Sequence, residues 1–309
     1  MDSDMILILG VTASGKSRLA FDLAKDMDAE IISVDSMKVY RRMDIGTAKP
    51  PRQARAEARY HMIDIVEPGS LFNVAAFVEL ANQAIEQIKS RGKSVIAVGG
   101  TALYLKAMLY GLFEGPGTDQ NIREKLKRRQ LAEGLGILHK ELETVDPAAA
   151  SRIHPNDSKR IIRALEVYEL TGSAISSFQS QFEAPKLSHN WTIMGLRREK
   201  AEENSRINQR VKKIIEAGLV DEVRGLLAEE QPLSKQARCA IGYAEIIDYL
   251  DGKTNLEEAV ELIKKNSRRL AKNQRTWFKT FKDVNWLDVD GEQTPEQILT
   301  RARQLLNDI

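Results

Sequence analysis

An α/β fold, with a parallel sheet flanked by helices, is predicted for this 309-residue chain by three observations. Three short apolar runs, Met5 to Leu9, Ile31 to Val34 and Val95 to Val98, each stop at a Gly or an Asp, as buried parallel strands do. Helical periodicity follows the first and third runs. A clear helix separates the second from the third. Strand–loop–helix units in this order imply right-handed crossovers into one sheet, where ligands bind at the carboxyl ends of the strands.

The first run enters Gly10-Val11-Thr12-Ala13-Ser14-Gly15-Lys16-Ser17, which matches the phosphate-loop pattern G-x-x-x-x-G-K-[ST]. In such a loop, backbone N–H groups and a helix N-terminus cradle phosphate oxygens. Lys16 adds a point charge, and the Ser17 hydroxyl is placed to ligand Mg²⁺. The second run ends at Asp35, the only carboxylate at a strand end near the loop. A helix is then predicted with Asn73 as its N-cap. Val74, Phe77, Val78, Ala81, Ile85 and Ile88 share one face, and Gly92 lies just past its end. The third run ends in Gly99-Gly100-Thr101. The phosphate loop, Asp35 and Thr101 are therefore expected to face one cleft. No carboxylate ends the third run to organise Mg²⁺ and water for ATP hydrolysis. A diphosphate cradle beside one base suits a transferase whose leaving group is a diphosphate, or a small-molecule kinase.

After Leu112 the pattern changes. The turn-rich EGPGTD (114–119) precedes a charged helical stretch, and residues 120–182 hold no strand-like run. A second set of turn signals, EAPKLSHN (183–190), leads into WTIMGL (191–196), which reads as a strand. The predicted organisation is a catalytic core of 1–114 and 189–309 and a helical insertion of 115–188. Further amphipathic helices are expected near 200–217, 219–230, 241–251 and 256–281.

With 46 Lys and Arg against 44 Asp and Glu, the net charge is only +2, so a nucleic-acid surface has to come from local clustering. One cluster runs from Lys264 to Lys282, eight basic residues without an acidic one. In it Lys264, Arg268, Lys272, Arg275 and Lys279 recur at helical spacing, with Trp277, Phe278 and Phe281 between them, the aromatics being expected to pack rather than stack. Others lie at Arg123 to Arg129 and at Lys159, Arg160 and Arg163. The single cysteine, Cys239, excludes a disulfide framework or a Cys-rich zinc site and is expected to be a small packing residue. Four scattered histidines suggest no metal site, and His154 is expected to shape a turn. The N-terminus lacks a basic n-region, and no apolar run reaches the ~18 residues that a membrane span needs. A cytoplasmic, monomeric protein without membrane partners is expected.

Seven strings, GVTASGKS, ISVDSMKVYRRMDIGTAKP, HMIDI, VGGTALYLKAML, RIHPNDSKRIIRALEVYELTG, AIGYAEI and RRLAKNQRTWF, together resemble the tRNA dimethylallyltransferases of the bacterial type, also called tRNA isopentenyltransferases. The resemblance runs from about residue 5 to 290. It implies transfer of the dimethylallyl group from dimethylallyl diphosphate to N6 of adenosine 37, beside the anticodon of tRNAs reading codons that begin with U. It also implies that the loop 10–17 holds an isoprenoid diphosphate with Mg²⁺, helped by Arg206 or Arg210. The reaction needs a base for the N6 proton, which Asp35 can supply, and by the same resemblance Thr101 contacts the target nucleotide. The tRNA anticodon stem-loop would meet Asp35, Ser36, Met37 and Lys38, the insertion residues Arg123, Lys159, Arg160, Ile161, Ile162 and Arg163, the segment with Cys239, Ala240, Gly242 and Tyr243, and Arg268, Lys272 and Arg275. Two positions depart from the family pattern, Lys38 and Asn273. The competing readings are an isopentenyltransferase acting on free AMP, ADP or ATP, a phosphate-loop kinase, and a non-enzymatic RNA-binding protein.

Overall fold

A computed structural model describes residues 5–111, 115–178 and 189–308. The chain divides into two compact units, Met1–Gly111 with Leu187–Ile309, and Leu112–Lys186. The turn signals at 114 and 183–188, and the first four residues, lie outside the described residues.

In chain order the first unit opens with β1 (Met5–Gly10), α1 (Lys16–Asp26), β2 (Glu30–Val34), α2 (Arg52–Glu57), β3 (Tyr60–His61), α3 (Val74–Ser90), β4 (Val95–Gly99) and α4 (Ala102–Tyr110). The second unit holds α5 (Gln120–Glu133), α6 (Leu135–Val145), α7 (Pro147–Ala150), α8 (Ser158–Thr171) and α9 (Ile175–Phe178). The first unit resumes with β5 (Thr192–Arg197), α10 (Lys200–Glu216), α11 (Leu219–Leu227), α12 (Lys235–Arg238), α13 (Tyr243–Leu250), α14 (Leu256–Phe278), β6 (Val284–Asp288) and α15 (Pro295–Asn307).

The six strands form one sheet in the order β3-β2-β4-β1-β5-β6, and every pairing is parallel. Alternate residues of β1 explain why its run is apolar throughout. Met5, Leu7 and Leu9 enter one apolar layer with Phe77, Ile85 and Ile207, whereas Ile6 and Ile8 enter the other with Leu19, Leu23 and Ala302. The predicted cap of α3 is present, with the Asn73 side chain accepting from the Ala76 N–H, and Phe77, Ala81, Ile85 and Ile88 are buried. Two strands were not anticipated. β3 is only two residues long, and β6 (VNWLD) is an edge strand whose Asn285 breaks the apolar run. No helix among the described residues is long and apolar enough to cross a membrane.

The core of the second unit gathers Leu126, Leu138, Leu142, Ile161, Leu165 and Val167. Three of its helices, α5, α7 and α8, start on side-chain caps from Asp119, Asp146 and Asp157. As expected, His154 shapes the turn before α8, its Nδ1 accepting from the Asn156 N–H at 3.1 Å. Glu166 is fully buried on α8 and accepts from the Asp119 N–H at 2.8 Å. Its charge is met by Arg123 at 2.9 Å and Arg163 at 2.8 Å. Arg163 also donates to the carbonyls of Pro116 at 2.7 Å and Gly117 at 2.9 Å. Both arginines therefore have internal work, and charge reversal at Arg163 is no clean probe of RNA binding. Arg163→Ala is expected to destabilise this unit by about 2–4 kcal/mol, because it leaves a buried carboxylate with half its compensation. Urea unfolding followed by helical circular dichroism checks this; a change below about 0.5 kcal/mol would mean that Arg123 alone neutralises Glu166.

Candidate active site

The sheet order brings the predicted residues to one edge. β4 lies between β1 and β2, with Leu9 paired to Gly99 and Gly99 to Val34 at the last rungs. The chain then leaves β1 as the phosphate loop, β2 as Asp35 and β4 as Gly100-Thr101. Gly99 permits this close packing, since a Cβ there would lie 2.1 Å from the Val34 carbonyl oxygen.

Within the loop, Ala13 and Gly15 take φ of 63° and 102°, the left-handed backbone that turns N–H groups inward at the start of α1. Ser14 is buried, and its N–H donates to the Val11 carbonyl at 3.2 Å. Lys16 Nζ donates to the same carbonyl at 3.1 Å. Three cations surround this end of the site. Burial, with repulsion from Lys38 and Arg210, pushes the Lys16 ammonium down to about 7, and Asp35 pulls the other way. Burial likewise lowers Lys38 and Arg210, again against the pull of Asp35.

The two oxygens of Asp35 stand in different surroundings. Oδ1 accepts the N–H groups of Met37 at 2.8 Å and Lys38 at 3.2 Å, so this oxygen does cap the turn. No hydrogen bond from the described residues reaches Oδ2. Thr101 sits at the N-cap of α4 without capping it. Its Oγ1 instead accepts the Ser36 N–H at 3.1 Å, tying the β4 loop to the β2 loop.

Thr12, Lys16, Asp35, Lys38, Thr101 and Arg210 line one cavity of about 590 Å³, together with Ser17, Ser36, Met37, Gly46 and Thr47. Apolar side chains also line it, among them Ile214, Ile241, Ile263, Leu270 and Trp277. An anionic head and an apolar tail on one ligand fit such a lining.

The family model described as IPP transferase matches residues 38–281. The chain belongs to the IPP transferase family. A tRNA dimethylallyltransferase of Geobacter metallireducens is 45% identical over 288 residues, 93% of each chain. Among solved structures, the full-length tRNA isopentenylpyrophosphate transferase of Bacillus halodurans is 39% identical, with a TM-score of 0.70 over 98% of this chain and 97% of that one. A eukaryotic dimethylallyltransferase acting on tRNA is 30% identical, with a TM-score of 0.80 over 98% of this chain and 78% of that one.

In this IPP transferase the remaining predicted site residues divide sharply. Arg206 Nε donates to the Ala13 carbonyl at 2.8 Å, and Arg210 reaches Thr12 Oγ1 and the Thr47 carbonyl, both at 3.4 Å. Both therefore back the phosphate loop. Cys239 is exposed and lines the cavity, which corrects the expectation of a packing residue. Ala240 and Tyr243 are buried, and the Tyr243 hydroxyl donates to Glu222 at 2.6 Å. Gly242 spends its N–H on Glu245 at 2.7 Å. Tyr243 cannot stack on a base from there; its ring instead packs where a Gly46 Cβ would stand, 2.4 Å from Cε2. Ile161 and Ile162 are also core residues, so in 159–163 the surface charge is that of Lys159 and Arg160.

On α14, Lys272 and Lys279 are exposed, whereas Arg268 donates to Asn208 at 2.6 Å and Arg275 pairs with the buried Glu203. Phe278 and Phe281 pack in the core, as expected. Sequence reasoning missed three residues. Arg198 is buried and donates from Nε to the Ser14 carbonyl at 2.7 Å. Glu222 accepts the N–H groups of Asp44, Ile45 and Gly46 at 3.0, 2.7 and 3.2 Å, fixing the DIGT loop. Gln274 joins two of the site loops. Only Gln274 stood in a string already singled out.

The depressed Lys16 has a measurable consequence. Well below pH 7 the ammonium is already charged, so there it contributes no pH dependence to anion binding. Above that pH a bound diphosphate raises its pKa and draws in a proton. Pyrophosphate binding at about pH 8 is expected to show net proton uptake relative to Lys16→Met, measured by calorimetry in buffers of different ionisation enthalpy. Equal uptake by both proteins would remove Lys16 from the linkage.

Proposed function

We propose that this protein transfers the dimethylallyl group of dimethylallyl diphosphate to N6 of adenosine 37 in tRNAs reading codons that begin with U, releasing diphosphate. The observation that carries the reading is a single cavity lined by Lys16, Lys38 and Arg210 with one carboxylate, Asp35, and by several apolar side chains. A diphosphate neutralises the cations and the apolar side chains take the isoprenoid. The names of the relatives supply the nucleic-acid substrate.

In the step itself, the bond between C1 of the allyl group and the diphosphate oxygen breaks, and its electron pair leaves on the diphosphate. The loop amides, Lys16 and Arg210 stabilise that charge. The N6 lone pair forms the new N–C bond, and Asp35 Oδ2 takes the proton that N6 loses. Thr101 and Ser36 hold the nucleotide side of the site in place. Mg²⁺ fits the donor that the phosphate loop presents, since the Ser17 hydroxyl is a hard oxygen at the start of α1 and lines the cavity. Held by Ser17, the ion would supply further charge neutralisation of the diphosphate, keeping most of its coordination for phosphate and water.

The exposed cations Lys159, Arg160 and Lys272 are proposed to contact tRNA phosphates, each within its own unit. A flipped, unstacked adenosine is the form of the base that a cavity can admit. The proposal takes the protein to act on tRNA as a monomer in the cytoplasm.

Incubation with labelled dimethylallyl diphosphate, Mg²⁺ and equal amounts of tRNA and AMP tests the substrate class. Label is expected in tRNA. Label in AMP alone would favour the free-nucleotide isopentenyltransferase instead.

A further inference from the structure

Gln274 stands in the string RRLAKNQRTWF, whose other polar residues read as an RNA-facing stripe. Its side chain does not face outward. It is 7% exposed, on the buried side of α14 with Ala271 and Phe278. Oε1 accepts the Thr12 N–H at 2.8 Å, and Nε2 donates to the Gly100 carbonyl at 2.8 Å.

Those two partners lie just beyond the end of the β1–β4 ladder, whose last rung is Leu9 with Gly99. There the strands part, one into the phosphate loop and the other toward Thr101. A primary amide offers one acceptor and one donor on adjacent atoms, as a peptide group does. Gln274 thus substitutes for the rung that the diverging backbones can no longer make. The space is fitted to it, since a Cβ on Gly100 would lie 2.5 Å from Nε2. The linkage continues on the Gly100 side, where Thr101 Oγ1 accepts the Ser36 N–H beside Asp35.

We infer that Gln274 is a positioning residue that sets the distance between the diphosphate cradle and the base, rather than a tRNA contact. The inference rests on the prenyl-transfer reading above. Transfer requires the leaving group, the N6 nucleophile and the base to be aligned together, and a displacement near 1 Å is enough to cost about 10²-fold in rate. Binding of either substrate alone makes no such demand. The loop amides that hold phosphate and the cations that hold RNA do not depend on where the other set stands.

Gln274→Glu and Gln274→Met separate the possibilities. Glu keeps the acceptor for Thr12 and cannot donate to Gly100; Met keeps the length and makes neither bond. Single-turnover transfer is measured with both substrates saturating and with rates normalised to pyrophosphate-binding sites, so misfolded protein does not count. Both variants are expected to lose roughly 10- to 100-fold in this rate. For Gln274→Met, which adds no charge beside the cradle, the dissociation constants for tRNA and for pyrophosphate are expected to stay within about threefold of wild type. A saturated rate equal to wild type overturns the inference. Weaker tRNA binding with an unchanged saturated rate also overturns it and places Gln274 on the RNA surface. Failure of the unaltered protein to transfer label to tRNA would instead overturn the proposed function, and this inference with it.

Discussion

Asp35→Asn is expected to slow single-turnover prenyl transfer by roughly 10²–10⁴, the usual share of a general base. The geometry makes this variant a clean one. Asn keeps an Oδ1 that can accept from Met37 and Lys38, so the turn survives. What it lacks is the second carboxylate oxygen, which no described residue engages and which is free for the N6 proton. The change also removes the one negative charge opposing Lys16, Lys38 and Arg210. Pyrophosphate should therefore bind the variant at least as tightly as wild type. Slow transfer together with undiminished diphosphate binding identifies a base; loss of both would mean that Asp35 chiefly holds the cavity together. Affinity for tRNA should change little, because phosphate contacts carry most of it.

Replacement of Lys16 by Ala should raise the barrier by about 2–4 kcal/mol, the typical loss for one preorganised electrostatic donor. Among the described residues Lys16 Nζ donates only to the Val11 carbonyl, so its removal costs the loop one contact and the leaving group one charge. Because that charge matters most as the C–O bond breaks, kcat is expected to fall more than KM for dimethylallyl diphosphate rises. Steady-state rates at saturating tRNA measure this. Wild-type rates would show that the loop is not the cradle of the reaction.

Much of this site was legible because local pattern carried it. Three of the six strands are short apolar runs ending at the site, and the phosphate loop, Asp35 and Thr101 follow from where those runs stop. The expectation that they share one cleft needed only the parallel topology. The missing parts depend on contacts far apart in the chain. Gln274 and Thr12 are 262 residues apart, and Arg198 and Ser14 are 184 apart, so no periodicity announces either bond. Charge in a helix was a poor guide to exposure for the same reason. Arg123 and Arg163 look like an RNA-facing surface in sequence, yet the buried Glu166 claims both. Tyr243 and Ile161 share strings with surface residues and are themselves core. β6 stayed hidden because an edge strand tolerates Asn285 and a partly exposed Trp286, which breaks the apolar signature.

The central claim is that the cavity joining the phosphate loop to Asp35 prenylates a tRNA base. Nucleoside analysis of tRNA after incubation with this protein, Mg²⁺ and labelled dimethylallyl diphosphate tests it most directly. The account predicts that the label appears as N6-dimethylallyladenosine in tRNAs reading codons that begin with U, and that Asp35→Asn sharply reduces it over the same interval. Unlabelled tRNA, or label that accumulates equally with the Asp35 variant, would contradict it.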